Sequence, residues 1–372
     1  MKYTILVLIS ILHFFGNTNY AQEVRDSSKS EKKFGVIGTP FLSYSPETEW
    51  SYGVAGLFYF HLENPTKEVN RLSSIFTDIH YTTKKQFSVK SEYDLYFIDD
   101  TYRLYGNVAY SKFPFQFFGI GNNTLKSDEE NYTPRTTRFE INLIRNFFSI
   151  ENGKLNAGIR YDFRNDNILK KETDGKLETE IIAGNNGGIT SGLGVSINFD
   201  SRDNSFSTTS GEYLDFSSTL YKKFLGSDFS FSRFTFDLRK FYSISILDTT
   251  HVFAFQVFTD FTNGTVPFYL LPTFGGENNL RGIYNGRFRD NNSFFLQGEY
   301  RFPVFWRFGL ALFGGIGEAF RKINYFSLSE LKLAGGIGIR GSVIPEDKIS
   351  VRIDFGFSKY KTEFYISFNE AF

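Results

Sequence analysis

The stretch Val351-Arg352-Ile353-Asp354-Phe355-Gly356-Phe357 alternates between apolar residues and residues that are charged or small. Side chains that alternate with a period of two lie on opposite faces of a β-strand. Phe234, Phe236 and Leu238 alternate with polar and charged residues in the same way. One such strand also fits a soluble sandwich, in which the apolar face meets a second sheet. The pattern recurs in many strands, with phenylalanine on one face and paired arginine and aspartate on the other. This recurrence favours a membrane barrel.

The aromatic content supports the same fold. The 372 residues include 46 Phe and 22 Tyr but only 9 Pro, and a soluble domain has little room to bury so many rings. A membrane barrel places them outside, in its apolar band and interfacial girdles. After residue 21 no run of about 18 apolar residues is long enough for a spanning helix. Strands in lipid can satisfy all their main-chain hydrogen bonds only when the sheet closes into a barrel. We therefore predict an all-β fold, a transmembrane antiparallel β-barrel.

The alternating segments predict about sixteen strands. They cover residues 33–44, 50–62, 70–83, 86–98, 101–112, 134–147, 154–165, 188–200, 211–223, 228–242, 250–262, 292–303, 307–318, 330–341, 348–358 and 362–372. An even number is usual for bacterial outer-membrane barrels. The long connections 113–133, 166–187 and 263–291 all follow odd-numbered strands. They are extracellular if the barrel begins on the periplasmic side, and most other connections then become short periplasmic turns.

The first 21 residues are organised like a secretory signal peptide. Lys2 supplies a positive charge, residues 5–15 form a short apolar core and Ala21 offers a cleavage site. The core is shorter than the roughly 20 residues of a spanning helix, which argues against the alternative of an uncleaved membrane anchor. We predict a signal peptide at 1–21, a short periplasmic tail at 22–33 and one outer-membrane barrel domain at 34–372.

Composition argues against several classes of function. The charges of the 41 basic and 41 acidic residues cancel to a net charge of zero. The sequence therefore shows no basic face that would indicate nucleic-acid binding. The chain has no cysteine, which excludes thiol catalysis and thiolate metal sites. Its histidines lack metal-ligand spacing, although a lipase with dispersed serine and histidine stays open. Residues 336–341 spell GxGxxG, but they fall in a predicted strand without a βαβ unit. We predict neither an enzyme nor a cofactor site.

The segment Gly275-Gly276-Glu277-Asn278-Asn279-Leu280-Arg281-Gly282-Ile283-Tyr284 lies in the long connection before the twelfth predicted strand. It resembles a motif of the BamA/TamA superfamily of outer-membrane proteins, the bacterial surface antigen family. The Val-Arg-Gly-Phe/Tyr type motif of that family is matched here by Leu280, Arg281, Gly282 and Ile283. The resemblance implies that the connection folds back into the lumen, where Arg281 contacts acidic residues of the inner wall. Glu299, on the following strand, matches the acidic position.

Electrostatics favours the same pair. Glu299 alternates with the apolar residues of its strand, so it lies on the polar face with Gln297 and Arg301. A guanidinium buried in a lumen needs a carboxylate, and arginine offers two parallel donors. The alternative is that Arg281 is a solvated loop arginine.

Further matches to the family lie elsewhere in the chain. The family's periplasmic turn between its eighth and ninth strands is matched by Asp200, Arg202, Asp203 and Gly211. The start of its third loop is matched by residues 115–122. A terminal aromatic on an alternating last strand is similar to the signal by which the assembly machinery recognises barrels. The expected face of that signal carries Phe364, Ile366, Phe368 and Phe372.

The chain also departs from the family pattern. Gly315 stands where an acidic residue is usual on the thirteenth strand, and Ile283 stands where the loop motif commonly has an aromatic residue. These changes predict a weaker attachment of the loop than in relatives. The periplasmic POTRA domains that capture clients in large family members have no counterpart here, so we expect a short form of the family.

Three functions compete at this point. The resemblance implies an assembly or translocation factor that admits protein or lipid through a lateral seam between the first and last strands. A passive pore or structural barrel, and a barrel that binds ligands through its long loops, are the alternatives. Gly35, Gly38 and Pro40 would weaken pairing of the first strand and favour an opening seam, unless Pro40 lies near the strand end. The expected partners are outer-membrane lipids and, for the first function, unfolded outer-membrane protein clients or periplasmic partner proteins.

Overall fold

The computed structural model describes residues 34–45, 48–60, 62, 73–98, 101–150, 153–204, 207–344 and 349–372. The predicted signal peptide and periplasmic tail therefore lie outside the described residues. Sixteen long strands are β1 (Phe34–Ser45), β2 (Glu49–Phe60), β3 (Ser73–Thr82), β4 (Phe87–Phe97), β5 (Tyr102–Lys112), β7 (Glu130–Ile150), β8 (Gly153–Lys170), β9 (Gly187–Asp200), β10 (Gly211–Tyr221), β11 (Phe231–Ile246), β12 (Thr249–Gly264), β15 (Asn292–Phe305), β16 (Phe308–Phe320), β17 (Lys332–Ile344), β18 (Ile349–Ser358) and β19 (Thr362–Phe368). Three short strands, which we did not predict, are β6 (Phe115–Phe117), β13 (Thr273–Phe274) and β14 (Phe288–Arg289).

The long strands form one antiparallel sheet in chain order. Each pairs with the next long strand, so that the sheet passes from β5 to β7 and from β12 to β15. The sheet closes where β19 meets β1. The prediction of an antiparallel barrel of about sixteen strands is confirmed. Among the described residues, no helix is long and apolar enough to cross a membrane.

Alternation places apolar side chains on the outer face and charged ones inside, as the stretch 351–357 indicated. Phe355 and Phe357 are exposed on the outer face, whereas Arg352 and Asp354 are buried. Neighbouring strands continue the exposed apolar face with Leu310, Leu312, Leu333, Ile337 and Ile339. This is the surface that a barrel in lipid requires.

The GxGxxG stretch lies in β17, in agreement with its alternation. A Cβ on Gly336 would lie 2.0 Å from the main-chain oxygen of Phe355. A Cβ on Gly338 would lie 2.0 Å from Oδ1 of Asp354. These glycines therefore allow the neighbouring strand to approach closely and leave room in the lumen for the Asp354 carboxylate.

The long connections at the end assigned to the extracellular side pack together into a cap. Their shared apolar cluster contains Phe117, Tyr132, Leu177, Tyr221, Phe231, Val266, Phe268, Leu270 and Leu271. Lys176 Nζ lies 3.0 Å from Asp128 Oδ2, and the hydrogen bond from Lys176 lowers the pKa of Asp128. Asn122 Nδ2 donates to the main-chain oxygen of Glu330 at 2.9 Å. The cap thus extends across this end of the barrel to the connection between β16 and β17.

The last strand is shorter than predicted. β19 ends at Phe368, and Asn369 has a positive φ of 58° that turns the chain out of the sheet. The following residues run inward, where Phe372 packs in a buried cluster with Phe241. Arg301 Nη2 donates to the main-chain oxygen of Phe372 at 3.0 Å. The prediction that Phe372 lies on the same face of the last strand as the other aromatic residues is therefore wrong, because burial against the inner wall removes its ring from solvent.

Candidate functional site

The connection 265–291 folds back against the inner wall, and the prediction of an inward-folded loop before the twelfth barrel strand is confirmed. β13 and β14 pair as a hairpin, and we call residues 275–287, which join them, the lumen tip. Gly282 has a positive φ of 104°, and a Cβ there would lie 2.7 Å from the main-chain nitrogen of Phe357 on β18. A glycine is needed at this position, both for the left-handed backbone and for the close approach to the wall.

One side of the lumen tip is apolar. Leu280 and Ile283 are buried there. They share a cluster with Phe274, Phe288, Phe295, Ala319 and Ala334. Ile283, which replaces the aromatic residue common in the family, is completely buried in this cluster.

The other side of the lumen tip carries Arg281, which is 1 % exposed. Its guanidinium forms ion pairs with Glu299 of β15 and with Asp354 of β18. It also lies over the ring of Phe313, with 3.6 Å between Cζ and the ring centroid, which is within the range of a cation–π contact. The structure thus brings Arg281 and Glu299 together, as the motif implied, and adds two partners that the motif did not name.

Glu299 is the centre of a larger buried ion network. Its Oε1 accepts hydrogen bonds from Arg301 Nε at 2.8 Å and from Arg340 Nη2 at 3.1 Å. Arg340 also binds Asp354, with 2.6 Å from Nη1 to Oδ1, and Glu370, with 2.8 Å from Nε to Oε2. Because Glu370 belongs to the inward segment after β19, one network connects the lumen tip with the end of the last strand. Buried charges without partners are costly, so these groups depend on one another.

Neutral hydrogen bonds fix the main chain of the lumen tip. The N–H of Leu280 donates to Gln297 Oε1 at 3.0 Å. The N–H of Gly282 donates to the hydroxyl of Tyr365 at 3.2 Å, and its carbonyl accepts from Ser358 Oγ at 2.7 Å. These wall residues stand on β15, β18 and β19. The lumen tip therefore contacts the last strand of the barrel directly.

Gly315 shows how the lumen tip fits without the acidic residue that is usual there. A Cβ at Gly315 would lie 2.3 Å from the main-chain oxygen of Leu296 and 2.7 Å from Cδ1 of Leu280. No side chain fits at this position while Leu280 is in place. Asp354 supplies the second carboxylate from β18 instead. Arg281 therefore has two carboxylate partners in this chain, and a weaker attachment than in relatives stays a prediction.

The substitution Gly315→Asp should loosen the lumen tip, because the new side chain would displace Leu280 from the wall. We expect a protease to cut the tip of this variant in conditions that leave the native barrel intact. Gly341→Ala is the matched control, since a Cβ there would meet its nearest atom at an ordinary 3.7 Å. Equal protection of both variants would show that the close packing at Gly315 does not hold the tip.

The seam between β1 and β19 is short. Within the described residues, the two strands pair only at Tyr44 and Ile366, whereas β2 pairs with β1 along all 12 residues of β1. On the outer face Tyr44 packs against Phe364, with 5.2 Å between ring centroids. β19 ends at Phe368, so residues 34–41 of β1 have no described residue of β19 opposite them. Along residues 34–41, the edge of β1 therefore presents a row of main-chain donors and acceptors to the seam.

The three residues proposed to weaken β1, Gly35, Gly38 and Pro40, all pair with residues of β2. Pro40 lies within the strand, opposite Val54, so the alternative that it lies near the strand end is wrong. A Cβ on Gly35 would lie 2.2 Å from the ring of Tyr59. Gly35 is therefore required for packing between β1 and β2, whatever its effect on the seam.

The residues of the predicted periplasmic turn come together between β9 and β10. Arg202 Nε lies 2.9 Å from Asp200 Oδ1, and Oδ1 of Asp203 accepts from the N–H of Thr209 at 2.9 Å. Gly211 has a φ of 106°. These contacts are local to the turn.

Sequence reasoning missed Asp354 as a partner of Arg281, and it missed Arg340 and Glu370 as members of the surrounding ion network. The alternation of β17 and β18 already places Arg340 and Asp354 on the inner face, but it does not say which charges meet. Among the described residues, no group of three or more His, Asp or Glu side chains could hold a metal ion.

Fold and site together define a class of protein, an outer-membrane β-barrel whose lumen loop is held by a buried arginine. The family model described as the Omp85 superfamily domain matches residues 73–343. The chain belongs to the Omp85 superfamily, and it is a multi-strand barrel of the Gram-negative outer membrane. No curated protein matched the chain by sequence comparison.

Solved structures with the same fold include two kinds of protein. BamA from Haemophilus ducreyi lacking POTRA domains 1–3 is 16% identical with a TM-score of 0.60, over 92% of this chain and 71% of that chain. CdiB from Acinetobacter baumannii is 14% identical with a TM-score of 0.60, over 91% and 60% of the two chains. CdiB from Escherichia coli is 9% identical with a TM-score of 0.60, over 91% and 63%. At these identities the likeness concerns the fold, and the chain spans less than two thirds of either CdiB structure.

Proposed function

We propose that this barrel assists the insertion or translocation of proteins, or of lipids, at the outer membrane through the seam between β1 and β19. The observation that carries the proposal is the single described residue pair at the seam, Tyr44 with Ile366. The edge of residues 34–41 is open to another strand, and unpaired main-chain groups at a sheet edge can pair with an incoming segment. Membership of the Omp85 superfamily supports a role of this kind.

A passive pore is the less supported alternative. A solute path through the barrel would compete for space with the lumen tip, its ion network and the apolar cluster of the cap. A fully paired wall would also make a pore more stable, because every unpaired main-chain group in lipid costs free energy. Surface binding through the long connections is the other alternative, and it makes no use of the seam.

The proposed activity requires no catalytic residue and no cofactor. Its partners would be outer-membrane lipids and unfolded outer-membrane proteins, with a periplasmic protein that delivers the clients. The barrel would lower the barrier to insertion by offering β1 as a strand partner and by opening a path between lumen and lipid.

Reconstitution tests this function. The purified barrel would be placed in liposomes, an unfolded client barrel added, and client folding followed by its heat-modifiable migration in gels. We expect faster folding than in liposomes that carry a passive barrel of similar size, and a gain of about tenfold would correspond to a barrier lowered by only about 1.4 kcal/mol. If a panel of client barrels folds no faster than with the passive barrel, the proposal fails.

A further inference from the structure

The connection 321–331 between β16 and β17, which we call the outer flap, folds over the outside of the barrel. Even-numbered residues of β16 such as Leu312 are exposed on the lipid side, and alternation places Phe320 on the same face. Phe326 of the outer flap packs edge-on against Phe320, with 5.5 Å between ring centroids, and against Phe294 of β15 at 5.6 Å. The outer flap therefore covers the external face at the rim that we assign to the extracellular side, because the connection follows an odd-numbered barrel strand, like the long connections of the cap.

A buried carboxylate fixes the outer flap in this position. Glu318 stands two residues before Phe320, hence also on the external face, yet it is only 2 % exposed. Its Oε2 accepts a hydrogen bond from the N–H of Ser327 at 3.1 Å. An aromatic contact and a hydrogen bond to a buried charge together attach the middle of the outer flap to the wall.

The free surface of the outer flap combines apolar and basic side chains. Ile323 is 71 % exposed and Leu328 is 77 % exposed, and Tyr325 between them is also exposed. Arg321 and Lys322 precede them and are exposed as well, and among the described residues neither takes part in an ion pair of 4 Å or less. Below the outer flap, the exposed face of β17 continues with Leu333, Ile337 and Ile339. The apolar surface thus runs from the wall onto the outer flap and ends at two cations.

We propose that the outer flap binds a phosphorylated glycolipid of the outer leaflet. Arg321 and Lys322 would bind the phosphate groups, because cations at the border of the apolar band attract anionic headgroups. Ile323, Tyr325 and Leu328 would contact the upper parts of the acyl chains. The choice of a lipid over a protein follows from position, since the surface is continuous with the face of the barrel that lies in lipid. Exposed apolar side chains of this size are stable there without a protein partner.

The test uses the full chain, purified in neutral detergent, with lipopolysaccharide as the probe and phosphatidylcholine as the zwitterionic comparison. Native mass spectrometry would count bound lipids and give relative affinities. We expect selective binding of lipopolysaccharide, and a loss of about tenfold or more in the double variant Arg321→Ala/Lys322→Ala, in proportion to two surface cations. The variant Ile323→Ser/Leu328→Ser should also bind less, whereas heat-modifiable migration should stay normal in both because these side chains are exposed.

The matched control is Lys222→Ala/Lys223→Ala. These two adjacent lysines precede the exposed Phe224 on another extracellular connection, so the control removes the same charge beside a similar side chain. An equal loss in test and control variants would mean general electrostatic attraction and would overturn the site. Unchanged lipopolysaccharide binding in the test variant would do the same. Wild-type protein should also prefer the lipid to its enzymatically dephosphorylated form, and equal binding of both forms would refute the role given to the cations.

Discussion

Replacing Arg281 with alanine is expected to release the lumen tip from the inner wall. The substitution removes the guanidinium from Glu299, Asp354 and the ring of Phe313 at once. Loss of one partner from a buried ion pair costs about 3–5 kcal/mol. Arg340 still neutralises both carboxylates and Arg301 still binds Glu299, so the barrel itself should remain closed. The main effect should fall on the lumen tip, which would become accessible to protease.

Two measurements separate the lumen tip from the barrel. Limited proteolysis reports on the tip, and the temperature at which migration changes in gels reports on the barrel. Arg281→Lys should not restore protection, because one ammonium cannot replace a planar group that reaches two carboxylates. Arg307→Ala is the control, since Arg307 is an exposed arginine in the turn between β15 and β16.

A double-mutant cycle tests the contact itself. The effects of Arg281→Ala and Glu299→Gln on tip protection should be strongly non-additive, because the two side chains act through one interaction. Glu299→Gln alone should destabilise the barrel more than Arg281→Ala does, since Glu299 is the shared acceptor of three arginines. Additive effects would show that the contact does not hold the lumen tip.

Locking the seam with a disulfide is expected to abolish client insertion. Tyr44 and Ile366 face each other directly in the antiparallel register. Directly opposed residues have Cα atoms about 4.5–5.5 Å apart, which lies within the range that a disulfide can bridge. The natural chain has no cysteine, so Tyr44→Cys/Ile366→Cys would form one defined bond. Activity in the liposome assay should disappear on oxidation and return on reduction.

The control lock joins two strands that are not expected to separate. Tyr52 and Tyr81 are paired across β2 and β3 on the outer face, so Tyr52→Cys/Tyr81→Cys adds a similar bond in the interior of the sheet. Loss of activity in both oxidised variants would indicate a general effect of cross-linking. Full activity of a completely oxidised seam variant would rule out lateral opening as the mechanism.

The fold could be predicted from local patterns because a barrel wall has two chemically different faces. Period-two alternation identified the strands, and their number followed from counting segments. The ends of the strands were harder to predict, as the wrong prediction for Phe372 shows. The last strand was predicted to reach residue 372, but Asn369 turns the chain inward, and the buried cluster that receives Phe372 includes residues of distant strands.

By itself, the sequence determined that this chain forms an outward-apolar barrel with Glu299 on the polar face of its strand. The inward loop and the contact of its Arg281 with an acidic wall residue were implied by the resemblance to a known family. The barrel and the position of Glu299 follow from spacing along single strands, where alternate residues lie on the same face. Only the tertiary structure decided that Asp354 replaces the acid missing at Gly315, and that Glu370 joins the end of β19 to the lumen tip. It also decided that β1 and β19 meet at so few residues. These features depend on closure, which brings the two ends of the sheet together in a register that no local pattern specifies.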